Sequence, residues 1–85
     1  MEIEFSPRAL LDLEAWRRSG NHKVQEKISS IIASILTTPF SGIGKPEPLK
    51  HDFTGLWSRR ITKGDRLVYE IGESLITIHS LKGHY

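Results

Sequence analysis

An α+β domain, with two N-terminal helices packed on one face of a small and mostly antiparallel β-sheet, is predicted by three features of this sequence. Two stretches in its first half repeat apolar residues at helical spacing. Three stretches in its second half alternate or run apolar in the manner of strands. Short turns separate those runs, which makes consecutive strands antiparallel neighbours. The length of 85 residues suits one domain, 1–85, and the chain contains no repeat, linker or low-complexity stretch.

The elements follow in order. Ile3 and Phe5 alternate with Glu2 and Glu4, as in a short strand with one buried side. Ser6-Pro7 supplies an N-cap and a proline at the first helical position, where its missing N–H costs nothing. From Arg8 to about Arg18, Leu10, Leu13 and Trp16 recur at helical spacing with charges opposite, and Ser19-Gly20-Asn21 ends that helix. Asn21 caps a second helix, in which Val24, Ile28, Ile31 and Ile35 form a core stripe widened by Ile32 and Leu36. Thr37-Thr38-Pro39 stops it, because the residue before a proline leaves the α region.

Pro39 to about Leu56 reads as one long loop, interrupted by Gly42, Gly44, Pro46, Pro48 and Gly55. Trp57–Thr62 is the next strand, with Trp57, Arg59 and Ile61 on one side. Lys63-Gly64-Asp65 is a hairpin turn in which glycine is expected to supply a positive φ. Arg66–Ile71 places Leu67, Tyr69 and Ile71 on one side and Arg66, Val68 and Glu70 on the other. After Gly72-Glu73, Leu75–Leu81 is apolar enough for a central strand buried on both faces. Continued alternation would put Ile76, Ile78, Ser80, Lys82 and His84 on one side.

Composition narrows the chemistry. The absence of cysteine excludes disulfides, thiolate metal sites and cysteine nucleophiles. No apolar run approaches the ~18 residues of a membrane span, and Met-Glu-Ile-Glu is too acidic to start a signal peptide, so a soluble cytoplasmic domain is expected. Residues 1–44 carry equal numbers of basic and acidic side chains, so the whole formal charge of +2 lies in residues 45–85. The scattered histidines lack metal-ligand spacing, and Gly42-Ile43-Gly44-Lys45 lacks the spacing of a phosphate loop. Neither a metal nor another cofactor is expected.

Three groups in that basic half have incomplete structural explanations. Glu47 stands between Pro46 and Pro48, a stiff backbone that suits a general base as well as a solvated turn residue. Arg59, Arg60 and Arg66 lie on adjacent strands and offer the planar donor fork that binds phosphate. Arg59 and Arg60 point to opposite faces, so at most one joins Arg66; the plain structural alternative, for one of the three, is an arginine that blunts a sheet edge. His84-Tyr85 follows the last strand, where the bland reading is a frayed end. Histidine's ordinary pKa of about 6.5 also makes it a competent acid near neutrality, and tyrosine stacks on unpaired bases. A base, phosphate ligands and an acid are what metal-free RNA cleavage requires. The same residue types also serve a non-catalytic binding module or an enzyme acting on small nucleotides.

Four separated motifs sharpen the choice. Thr38-Pro-Phe-Ser-Gly-Ile-Gly-Lys-Pro-Glu-Pro-Leu-Lys50, Gly55-Leu-Trp-Ser-Arg-Arg-Ile-Thr62, Arg66-Leu-Val-Tyr69 and His84-Tyr85 occur in the order found in the YoeB/Txe toxins of the RelE-like superfamily, which the chain resembles over essentially its full length. The resemblance implies a ribosome-dependent endoribonuclease that cuts mRNA in the A site of the 70S ribosome and is held inactive by a YefM-like antitoxin. By that resemblance Glu47 matches the general base, Arg66 the phosphate-stabilising arginine and His84 the general acid. Tyr85 matches a substrate-positioning tyrosine, and Lys50 and Arg60 match RNA-binding positions. The family also leaves room for a homodimer.

Overall fold

The computed structural model describes residues 1–83. Its elements are β1 (Glu2–Phe5), α1 (Pro7–Ser19), α2 (His22–Thr37), β2 (Glu47–Pro48), a 3₁₀ turn (His51–Phe53), β3 (Leu56–Arg60), β4 (Arg66–Ile71) and β5 (Leu75–Ser80). One sheet runs in the order β1-β5-β4-β3-β2, with β1 parallel to β5 and every other pair antiparallel. Both helices cover the same face. Their buried residues, including Ala9, Trp16, Ile28, Ile31 and Ile35, meet Leu67, Tyr69, Ile76, Ile78 and Leu81 in one core. Each isoleucine fully removed from water there contributes about 1.5–3 kcal/mol before ordering entropy is subtracted. Among the described residues no helix is long and apolar enough to cross a membrane.

The caps form as their residue types dictate. The Ser6 hydroxyl accepts the Ala9 N–H at 3.0 Å, and the Asn21 side chain accepts the Val24 N–H at 3.1 Å. Gly20 ends α1 at a φ of 70°, which glycine adopts without a Cβ penalty.

Four expectations need correction. The presumed loop between Pro39 and Leu56 contains β2, since Glu47 and Pro48 pair antiparallel with Ser58 and Trp57. Pro48 is tolerated because β2 lies at the sheet edge. Gly64 does not take a positive φ; among the described glycines, Gly20, Gly42, Gly44, Gly55 and Gly83 do. In α1, Leu10 and Leu11 are exposed and Asp12 is buried, so the buried side runs through Ala9, Asp12 and Trp16. Finally, β5 is fully buried only at Ile76 and Ile78, because the helices shield one face and leave Thr77 and His79 half-buried on the other.

A β-bulge also ends the simple alternation of β5. Tyr69 pairs with Ile78, but the next residue back on β4, Val68, pairs with Ser80. His79 is the extra residue, and the bulge flips the parity beyond it. Ser80 thus shares Val68's side, opposite Ile76 and Ile78, and Leu81 turns into the core with no exposed surface. The expected common side for Ile76, Ile78, Ser80, Lys82 and His84 therefore fails at Ser80; His84 lies outside the described residues.

Candidate active site

The face without helices gathers the site. Directly opposed residues in a sheet point the same way, so Glu47 shares a face with its partner Ser58, and Ser58 with Val68 and Ser80. Arg60 and Arg66 oppose each other two pairs further along β3 and β4, on that same face. Arg66 donates from Nη1 to the Ser58 hydroxyl at 3.1 Å, which draws its guanidinium toward the row that begins with Glu47. Ser58 is fully buried and had not been singled out in the sequence. Its position between Trp57 and Arg59 already placed it on the side of Arg60, which was the available signal.

Glu47 itself is exposed at the sheet edge. Pro46 and Pro48 limit its backbone, and pairing with Ser58 sets its direction. Beyond it the chain turns at His51, whose φ of 60° is unusual for a residue other than glycine. Glu47, Lys50, His51 and Phe53 border an open depression of about 410 Å³. A carboxylate, a lysine and an aromatic ring thus border this hollow, while Arg60 and Arg66 stand on Glu47's face of the sheet. No group of three described His, Asp or Glu side chains is arranged to hold a metal ion.

Arg59 stands elsewhere, and its reading as a substrate-binding residue is corrected by its burial. It has no exposed surface and lies on the helix side of β3. Its Nη1 donates to Ser34 Oγ at 2.6 Å and to the Ile43 carbonyl at 3.2 Å. Its Nη2 donates to the Thr38, Pro39 and Ser41 carbonyls at 2.7, 3.3 and 2.9 Å. Its Nε donates to the Tyr69 hydroxyl, which in turn donates to the Pro39 carbonyl at 2.7 Å. Arg59 thus ties the loop after α2 to the sheet, and that loop leads into Glu47. Its partners come from positions 10–25 residues away, so no local pattern announced the role.

The segment after β5 is tied down as well. Asp65 Oδ1 accepts the Gly83 N–H at 2.8 Å, and the Gly83 carbonyl accepts the Arg66 N–H at 3.1 Å. His84 and Tyr85, the expected acid and positioning tyrosine, lie outside the described residues.

Fold and site together define a small α+β domain that presents a carboxylate and cationic side chains on the uncovered face of a five-stranded sheet. The chain belongs to the YoeB-like toxins of bacterial type II toxin–antitoxin systems, whose family pattern matches residues 5–85. Toxin YoeB of Streptomyces coelicolor is 42% identical to it over 85 residues, all of both chains. A solved YoeB/ParE toxin from Agrobacterium tumefaciens superposes with a TM-score of 0.95 at 39% identity, covering all of both chains. The toxin in a YoeB-YefM complex from Staphylococcus aureus superposes with a TM-score of 0.89 at 42% identity, covering all of this chain and 98% of that one.

Proposed function

We propose that this toxin is a ribosome-dependent endoribonuclease that cuts mRNA in the A site by metal-free acid–base catalysis and so stops translation in the cytoplasm. Glu47 takes the proton from a ribose 2′-OH as that oxygen attacks the adjacent phosphorus. Arg66, with Arg60 and Lys50 nearby, stabilises the negative charge that accumulates on the phosphorane. The bond from phosphorus to the 5′ oxygen then breaks, and His84 supplies the proton to that oxygen. Tyr85 holds the nucleotide by stacking. The products are a 2′,3′-cyclic phosphate and a 5′-hydroxyl, and water is not consumed. A YefM-like antitoxin restrains the activity, a reading supported by the S. aureus relative solved with YefM.

The observation that carries this reading is the shared face of Glu47, Ser58 and Arg66, with Arg66 hydrogen-bonded to Glu47's own pairing partner. The test programs purified ribosomes with a defined mRNA and maps new 5′ ends after adding wild-type, Glu47→Ala or His84→Ala protein. Glu47→Ala should cleave about 10²–10⁴-fold more slowly with unchanged folding, since the side chain is exposed. Wild-type rates in the Glu47 variant would sink the base assignment, and wild-type rates in the His84 variant the acid assignment. Stalling by the wild type without new ends would point to a non-catalytic binder.

A further inference from the structure

Arg60 and Arg66 are directly opposed on the open face, a pairing that sets their Cβ atoms about 4.5–5.5 Å apart. Like charges opposed in this way repel, and the pair is relieved when one side chain leans away. Arg66 does so along the diagonal of the sheet. Its Nη1 donates to the hydroxyl of Ser58, two residues before Arg60 on β3, at 3.1 Å. Arg60 is exposed, whereas Arg66 is half-buried. Ser58 itself has no exposed surface, although it stands on the face that no helix covers, so its hydroxyl is closed to RNA. Its backbone is held on both sides, by Glu47 of β2 and Val68 of β4. One residue thus sets two directions at once. Through its ladder pairing it fixes the strand that carries Glu47, and through its hydroxyl it fixes the guanidinium of Arg66.

We infer that Ser58 is a positioning residue: its hydroxyl holds Arg66 away from Arg60 and on the side of Glu47, so that phosphate ligand and base meet one substrate in one geometry. The inference rests on the roles proposed for Arg66 and Glu47. A neutral acceptor suits this task. A carboxylate in its place would pair with the guanidinium and cancel the charge that the phosphorane needs. A hydroxyl orients Arg66 and leaves its charge intact. Displacing such a group by about 1 Å is enough to slow a reaction by roughly 10²-fold.

The test measures single-turnover cleavage on programmed ribosomes across toxin concentrations, for Ser58→Ala, Arg66→Ala and the double variant. Ser58→Ala should lower the maximal rate about 10–100-fold and leave the half-saturating concentration within about twofold, because the hydroxyl serves the transition state and not capture. In the Arg66→Ala background the same change should alter the residual rate by less than about threefold, since no guanidinium is left to hold. Ser58→Thr and Ser58→Val give a second comparison at one side-chain shape, with and without the hydroxyl. The Ser58→Thr protein should cleave about tenfold or more faster than the Ser58→Val protein. This pair carries the test if Ser58→Ala does not fold. Equal losses from Ser58→Ala in the two backgrounds, or a Ser58→Thr protein no faster than Ser58→Val, would overturn the inference. Arg66→Ala is read separately. Wild-type rates there remove the phosphate-stabilising role itself, whereas a slow Arg66→Ala protein that Ser58→Ala slows by its full factor again removes the positioning role alone.

Discussion

At the scale of single residues, Arg59 and Arg60 show how one step along a strand separates two fates. Arg60 opposes Arg66 on the open face, and Arg59 is enclosed by Ser34, Tyr69 and four loop carbonyls. A fork of five donors satisfies such a ring of acceptors, which an ammonium with three donors does not match. Arg59→Ala should therefore lower unfolding free energy by at least about 2 kcal/mol, because it orphans several partly buried acceptors. Arg59→Lys should recover only part. Urea denaturation followed by tryptophan fluorescence checks both, and a midpoint unchanged in Arg59→Ala would refute the anchoring role. Ser58 and Asp12 teach the same lesson in a polar pair. Each is buried because a distant group needs it, Arg66 in one case and the Leu81 amide in the other.

At the scale of elements, the stretch from Thr38 to Lys45 is a loop whose shape depends on close approach to β3. Gly42 has a φ of 116°, and a Cβ there would stand 2.5 Å from Ser34 Oγ and 3.2 Å from Arg59 Nη1. Ser34 has little freedom to yield while its hydroxyl accepts from Arg59 at 2.6 Å. Gly42→Ala should cost about 1–3 kcal/mol and slow cleavage, since the loop delivers the chain to Glu47. Gly64→Ala is the matching control. Its Cβ would meet nothing within 4 Å and its φ is not positive, so stability should change by less than about 0.5 kcal/mol. Thermal melts of the two variants make the comparison, and equal shifts would refute the account of the loop.

At the scale of the whole molecule, the sheet has one face sealed by helices and one that no helix covers. The excess positive charge falls in the half of the chain that builds the open face. Arg60 is exposed on that face opposite Arg66, and Lys50 is exposed at the depression it borders with Glu47. Replacing both by glutamine should raise the half-saturating concentration on programmed ribosomes about tenfold or more while the maximal rate stays within severalfold. The salt dependence of binding should flatten, with the slope falling by about one for each lost phosphate contact. A lowered maximal rate with an unchanged salt slope would mean that these cations act on the chemistry rather than on capture.

Much of this architecture is legible in the chain, because it depends on neighbours in sequence. The isoleucine stripe of α2, the caps at Ser6 and Asn21, the turn before Arg66 and the opposition of Arg59 to Arg60 are all set within a few residues. So is the stiff setting of Glu47. Tertiary structure decided the rest: which arginine is enclosed, that Glu47 sits on an edge strand, that β5 bulges at His79, and that α1 buries Asp12 rather than Leu10. The physical reason is common to these cases. A buried polar group is placed by whichever donor or acceptor it satisfies, and here that partner stands 25 residues away for Arg59 and Ser34, and 69 for Asp12 and Leu81. Periodicity records which side of an element is apolar, but only the assembled sheet determines which polar groups are stranded and which side chains must go to meet them.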